Sequence, residues 1–266
     1  MDITAAIKAG GFVAAAYAGG LQANKDSYKV PDGYEVIDVI YANDLSTDIN
    51  SVKDFVSFGF IAQSVGGGTD YYVAIRGTDS IWEWLQDARF LKVQYPFTPG
   101  AGTSEDGFTA LYRTLGTAPS VGAPRVVDVL RTLLAGKVGA TLTLCGHSLG
   151  SAIITLLAID VVANAAFDPP IVFTFASPYV GDGLFAASYD NIVRNTWRIA
   201  NQVDIITHLP PALFFGYTHV AELYPINSAG VVKLDPRCCH NLSTYLHILS
   251  TQTPGDMIPI DPTCAI

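Results

Sequence analysis

Cationic side chains are scarce in this sequence. Fifteen Lys and Arg stand against 24 Asp and Glu in 266 residues, for a formal net charge of −9. Nucleic-acid binding needs a basic patch, so no nucleic-acid partner is expected. An acidic surface also repels anionic lipid headgroups but does not oppose neutral molecules. Long apolar runs are missing too. The longest, around Ser151 to Ile159, falls well short of the roughly 20 residues that cross a bilayer, so no transmembrane segment is expected. The first residues, Met1-Asp2-Ile3-Thr4, lack the positive charge of a signal peptide, and Lys8 is the one cation nearby. The Ala/Gly-rich stretch Ala14 to Gly20 therefore reads as part of a mature helix, in a protein that is cytoplasmic or has already lost a leader. Cysteine is rare: four residues, none before Cys145, make no disulfide framework. Cys145, in an apolar strand, reads as a buried thiol. Cys238, Cys239 and Cys264 leave room for one bridge and one leftover thiol. No repeat, low-complexity tract or long linker divides the chain, so residues 1–266 read as a single domain.

Half of the residues are hydrophobic and only 15% are charged, the composition of a compact globular protein. Apolar or alternating runs predict strands at Val36–Tyr41, Ser57–Val65, Tyr71–Ile75, Thr141–Cys145, Ile171–Ala176, Val193–Ala200 and Val231–Leu234. Gly66-Gly67-Gly68 joins the second to the third as a hairpin. Helical patterns fall at Gly107–Thr117, Pro124–Ala135, Ser148–Val162 and Leu184–Asn191. Tyr95–Gly107, broken by prolines and glycines, reads as a long surface loop. Strands alternating with helices imply parallel pairing through crossovers. The expected fold is α/β, with an antiparallel start, a mixed and mostly parallel central sheet, and helices on both faces.

Gly146-His147-Ser148-Leu149-Gly150 follows an alternating strand and precedes the apolar helical run Ala152–Ile159. This is the strand–turn–helix setting in which G-x-S-x-G carries a nucleophile. The turn is so tight that side chains beside the serine would clash, hence its two glycines. It lifts the Ser148 hydroxyl clear of the sheet, and the helix that begins there aims free N–H groups and its positive end at a reacting carbonyl. The N–H of Leu149 is placed to hold an oxyanion.

A serine hydroxyl needs a base, and the base needs a carboxylate to steer it. On such a scaffold the chain order is Ser, acid, His. Asp204 lies just past a predicted strand end. Asp160 lies inside the helix after Ser148, Asp168 on its far side, and Asp182 in a Gly-flanked turn or cap. Four histidines follow Ser148: His208, His219, His240 and His247. His240 opens a predicted helix, Asn241–Leu249, at a loop-to-helix junction, whereas His247 sits inside that helix; His219 and His208 flank a Pro-rich loop. Asp204 and His240 are the residues chosen, with His219 and His247 as alternatives for the base.

Tyr72–Thr78 ends an apolar strand in a glycine turn where Thr78 can offer an N–H and a hydroxyl. In the following segment Ser80 and Glu83 fit a capping box. Ile81, Trp82, Trp84 and Leu85 share one face of a short amphipathic helix, opposite Glu83, Gln86 and Asp87. That helix is either docked on the core or a mobile cover.

Together these motifs resemble the class 3 lipase family, the group of filamentous-fungal triacylglycerol lipases and related feruloyl esterases. The resemblance runs from about residue 55 to about 250. It rests on Ile75-Arg76-Gly77-Thr78, Ile81–Leu85, Asp106-Gly107-Phe108 with Tyr112, the serine turn, Phe175–Asp182, Asn201-Gln202-Val203-Asp204 and Gly216-Tyr217-Thr218-His219. It implies an α/β-hydrolase fold and a Ser148–His240–Asp204 triad. Thr78 and Leu149 become the oxyanion donors, His219 a structural histidine, and residues 81–85 a lid. The implied substrate is an ester, foremost an acylglycerol at a lipid–water interface. No metal, organic cofactor or obligate protein partner is implied, and secretion is implied if a leader has been removed. Asp106 departs from the histidine that often precedes Gly-Phe in the family. A feruloyl, aryl or short-chain carboxylesterase is an alternative on the same machinery. A catalytically inactive lipase-like binding module is another.

Overall fold

The structure, a computed structural model, describes residues 1–43, 55–78, 90–165, 167 and 169–266. The proposed lid positions Ile81, Trp82, Trp84 and Leu85, and also Asp168, lie outside the described residues.

Helix α1 (Ile3–Gly19) opens the chain, with the Asp2 side chain accepting from Ala5 N–H as its N-cap. Strands β1 (Tyr34–Asn43), β2 (Phe55–Ser64) and β3 (Asp70–Ile75) follow, then the short β4 (Lys92–Gln94) and β5 (Thr103–Glu105). Next come α2 (Asp106–Arg113), α3 (Val126–Leu134), β6 (Thr141–His147), α4 (Leu149–Asn164), β7 (Ile171–Phe175), β8 (Gly181–Asp182), α5 (Gly183–Ile192) and β9 (Asn195–Asn201). A 3-10 turn at Ile205–His208 leads to α6 (Ala212–Phe215), β10 (Tyr217–Thr218), β11 (Glu222–Ile226), α7 (Pro236–His240) and α8 (Leu242–Ser250).

Seven strands form one sheet in the order β1-β2-β3-β6-β7-β9-β11. β1, β2 and β3 pair antiparallel, and every pair from β3 to β11 is parallel. A second sheet, β10-β8-β5-β4, is too short-stranded to leave a periodic signal in the sequence.

Alternation along the strands divides the core in two. Tyr71, Val73 and Ile75 of β3 face the cluster that holds α2, α3 and α4; Tyr72 and Ala74 face the cluster that holds α1 and α8. Helix α4 is buried from Leu149 through Val161, which is why its sequence has no polar stripe. Its one carboxylate, Asp160, accepts from the Tyr112 hydroxyl at 2.6 Å and pairs with Arg125.

Three expectations are corrected. Val231–Leu234 is not a strand: only isolated bridges touch it, and the last strand of the sheet is β11. β11 leaves no clear pattern in the sequence because it is an edge strand carrying Pro225, half exposed and without strict alternation. Tyr95–Gly107 is not all surface loop, since Tyr95 is buried, donates to the Leu156 carbonyl at 2.7 Å, and the segment contains β5. The helix expected at Gly107–Thr117 starts one residue earlier, where Glu105 accepts from Phe108 N–H as its cap, and ends at Arg113. Cys238 pairs with Cys264, leaving Cys145 and Cys239 as buried free thiols.

Candidate active site

The serine sits where β6 turns into α4. Its backbone has φ 57° and ψ −126°, a conformation unfavourable for any residue with a Cβ. Close packing holds it there. A Cβ on Gly146 would meet the Gly150 carbonyl oxygen at 2.4 Å, and one on Gly150 would meet the Ile75 oxygen at 2.3 Å. The N–H of Ser148 donates to the Phe175 carbonyl, as does the Ser151 hydroxyl, which tethers the turn to the end of β7.

The side chain of Ser148 donates from Oγ to His240 Nε2 at 2.8 Å. His240 Nδ1–H donates to Asp204 Oδ2 at 2.8 Å. All three are buried, with Asp204 fully inaccessible. The carboxylate has further donors: Tyr245 O–H reaches Oδ2 at 2.6 Å and Ile206 N–H reaches Oδ1 at 3.0 Å. These donors replace the water that a buried carboxylate loses. The expected helix start at His240 is offset slightly: His240 ends α7, and Asn241 caps α8, accepting from Ser243 N–H.

The other histidines have different partners. His219 stacks on Tyr179 at 3.6 Å between centroids and donates from Nε2 to the Thr207 carbonyl. Burial, with Arg198 nearby, pushes its pKa down to about 3. His247 Nδ1–H donates to the Ile258 carbonyl. His208 is exposed. Asp182 caps α5 by accepting from Phe185 N–H.

The end of β3 lies directly against the serine turn. A Cβ on Gly77 would come within 3.0 Å of Ser148 Cβ and 2.6 Å of Tyr17 Oη. Thr78, half-buried, is therefore next to a residue in contact with Ser148. Arg76, buried, donates to the carbonyls of Ser57 and Gly77 and fixes this turn from behind. Leu149 is the first residue of α4, so its N–H belongs to the helical turn that has no intrahelical acceptor.

One network has no counterpart in the motif reading. The Gly77 N–H donates to Tyr17 Oη at 2.9 Å. Tyr17 Oη lies 2.7 Å from His147 Nδ1, and His147 Nε2 lies 2.8 Å from the His240 carbonyl oxygen. A carbonyl only accepts, so Nε2 carries the proton and Nδ1 accepts from the tyrosine. Burial, with His240 close by, holds the His147 pKa well below its ordinary value, so the ring is neutral and this proton order is fixed. The link from Tyr17 to His147 spans 130 residues, which no local pattern can reveal.

Chemically, this arrangement can activate a hydroxyl and deliver it to an electrophile beside the N-terminus of α4. Among the described residues no group of His, Cys, Asp and Glu could hold a metal ion, and no helix is long and apolar enough to cross a membrane.

Comparisons with known proteins agree on the lineage. Phospholipase A1-II 3 of Oryza sativa subsp. indica is 30% identical over 214 residues, which covers 71% of this chain and 51% of the relative. A lipase of Rhizomucor miehei is 34% identical over 183 residues, 65% of this chain and 46% of the relative. The chain spans about half the length of the curated relatives it matches. Among solved structures, the Rhizomucor miehei lipase propeptide complex aligns with a TM-score of 0.65 at 24% identity, over 85% of this chain and 68% of that one. The lipase of Rhizopus microsporus var. chinensis aligns with a TM-score of 0.63 at 25% identity, over 84% and 74%. These neighbours share the α/β-hydrolase fold of the mostly parallel sheet described above. The model of the family Lipase (class 3) matches residues 72–214, just over half of the chain, and on that match the chain belongs to the class 3 lipase family.

Proposed function

We propose that the protein hydrolyses carboxylic esters of lipids, with Ser148 as nucleophile, His240 as general base and Asp204 as the group that orients it. The observation that carries this reading is the unbroken hydrogen-bond chain Ser148 Oγ–His240–Asp204, both links at 2.8 Å, in a buried site. His240 Nε2 takes the serine proton as Oγ attacks the ester carbonyl, and Asp204 stabilises the imidazolium that results. The N–H of Leu149, with Thr78, holds the tetrahedral oxyanion. Collapse expels the alcohol, which takes its proton from His240. Water then enters, gives a proton to His240 and releases the acid from the acyl-serine.

The substrate read here is an acylglycerol at a lipid–water interface. The relatives' names, lipase and phospholipase A1, support a lipid ester. The chain's net charge of −9 disfavours a strongly anionic surface.

The test is hydrolysis of tributyrin and of p-nitrophenyl butyrate by wild type and by Ser148→Ala, His240→Ala, His219→Ala and His247→Ala. Ser148→Ala and His240→Ala are expected to lower kcat by roughly 10⁴-fold or more, and His219→Ala and His247→Ala far less. Full activity in Ser148→Ala, or labelling of another serine by an organophosphate, rejects the assignment.

A further inference from the structure

Ser148 and Asp204 stand at the ends of sheet strands: Ser148 follows β6, and Asp204 lies just past β9. His240 has no such support. It is the last residue of α7, a helix of five residues that belongs to neither sheet. So short a helix has too few internal hydrogen bonds to persist alone, and its surroundings set the place of the imidazole. Two side chains from strand ends reach its carbonyls: Asn201 Nδ2 donates to Cys239 O at 2.8 Å, and His147 Nε2–H donates to His240 O at 2.8 Å. A further tie is covalent, the disulfide from Cys238 to Cys264.

That bridge joins positions 26 apart in sequence and encloses both His240 and Tyr245, which donate to Asp204 Oδ2. Beyond α8, residues 251–266 form no helix or strand; they run back along α8 as a strap. Ile258 N–H donates to Ser250 Oγ, His247 Nδ1–H to the Ile258 carbonyl, and Asp261 N–H to Ser243 Oγ. Lys233, just ahead of α7, donates to the carbonyls of Cys264 and Thr263. The strap thus crosses from the far end of α8 to the entrance of α7. Its apolar root is small. Cys238, Cys264 and Val232 form a buried cluster separate from the two that flank the sheet, with half-buried Val231 and Ile260 against it. Hydrogen bonds to a terminal strap exchange with water as it frays, whereas the covalent bond does not. Burial, with Asp204 and Asp235 nearby, raises the pKa of the adjacent Cys239 thiol, so little thiolate forms there to attack the bridge from within.

We propose that the Cys238–Cys264 disulfide is a positioning element for His240: it fixes α7 so that the imidazole meets Ser148 and Asp204 together, and a dithiol that opens it lowers ester hydrolysis without unfolding the sheet. The inference rests on the ester-hydrolase reading above. Opening follows ordinary exchange. A reagent thiolate attacks Cys264 Sγ, the bond between the two cysteine sulfurs breaks, and the Cys238 thiolate takes up a proton. The reagent's second thiolate then attacks its own sulfur in the mixed disulfide, which releases Cys264 as a thiol and closes the reagent into a cyclic disulfide. The protein gains two electrons and two protons, and the dithiol loses them. Ser148 and Asp204, rooted in the sheet, keep their places. His240 gains freedom to move with α7, and a shift of about 1 Å in a reacting group costs up to about 100-fold in rate.

The experiment treats the full chain with dithiothreitol, removes the reagent anaerobically and measures hydrolysis of p-nitrophenyl butyrate. Peptide mapping of an alkylated parallel sample shows whether Cys238 and Cys264 have opened. Reduction is expected to lower kcat about tenfold or more, with a smaller change in KM. Far-UV circular dichroism should stay unchanged, and an organophosphate should still label one serine per chain, only more slowly. Reoxidation should restore kcat. Cys264→Ser should show the same loss of kcat and no further response to the dithiol. An unchanged kcat with both cysteines open overturns the proposal. So does a loss of kcat matched by loss of circular dichroism, since the bridge would then hold the fold and not place the imidazole. A dithiol response retained in Cys264→Ser overturns it too, by moving the sensitivity to Cys145 or Cys239. Untreated wild type that hydrolyses no ester is a different failure: it overturns the esterase reading itself, and this proposal with it.

Discussion

A single phenol, Tyr17, joins the end of β3 to the serine turn and, through His147, to the backbone of His240. Removing its oxygen leaves the Gly77 N–H and His147 Nδ1 each without the partner that this network gives it. Buried polar groups deprived of a partner cost about 1–3 kcal/mol, and here the loss falls on the segments that carry Thr78 and His240. Tyr17→Phe is therefore expected to lower kcat about tenfold, with a smaller change in KM. Steady-state kinetics on a soluble p-nitrophenyl ester checks this; a pure KM effect would remove Tyr17 from the positioning of the site. The sequence betrayed Ser148 because two local demands, paired glycines and a strand-to-helix switch, coincide within five residues. Asp204 and His240 could be chosen from chain order and from their places at element ends. Tyr17 offered no such signal: it is one of two aromatics in an alanine-rich α1, and its contacts exist only after distant segments meet. The partner of Cys264 was likewise open, since Cys238 and Cys239 are adjacent and only their directions in α7 separate them.

At the scale of elements, Glu105 joins β5 to α2 and carries a burial cost that depends on pH. It is 4% exposed and caps the helix by accepting from Phe108 N–H. Burial raises its pKa from 4.5 to about 7, against the opposing pull of the Phe108 and Gly107 N–H groups. Between those values the folded chain holds a proton that the unfolded chain has lost. The stability linked to this group is thus fully present below pH 4.5 and is lost as pH rises through about 7, a change of up to about 3 kcal/mol. Glu105→Gln keeps an oxygen for the cap but has no charge to bury. It is expected to match wild type near pH 5 and exceed it near pH 8, read as urea midpoints at the two values; equal midpoints at pH 8 would show that the buried carboxylate is not under strain. Elements long enough to alternate or to carry a full apolar turn were legible, as for β1, β2, β3, β6 and α4. The short strands of the second sheet and the Pro-bearing edge strand β11 were not, because what makes them strands is the neighbour they pair with.

For the molecule as a whole, the two clusters on opposite faces of the sheet come from interleaved parts of the chain. Helices from the middle cover one face, and α1 and α8, from the two ends, cover the other. The α/β class and mixed sheet were legible from element order. The sharing of one face by both ends was not, since nothing local in either helix names the other. This layout has a consequence in time. β3 pairs parallel to β6, placing Ile75 opposite Gly146, so the turn holding Ser148 is not clamped until a long intervening loop has closed. Such non-local parallel pairings form slowly, after local helices have appeared. The contact between Ser148 and His240 closes a further 92 residues of chain. On dilution from denaturant, helical circular dichroism should therefore return before ester hydrolysis does, with simultaneous recovery arguing for a concerted assembly. A chain growing from its N-terminus would add the 92 residues that separate Ser148 from His240 before the hydroxyl could meet its imidazole partner.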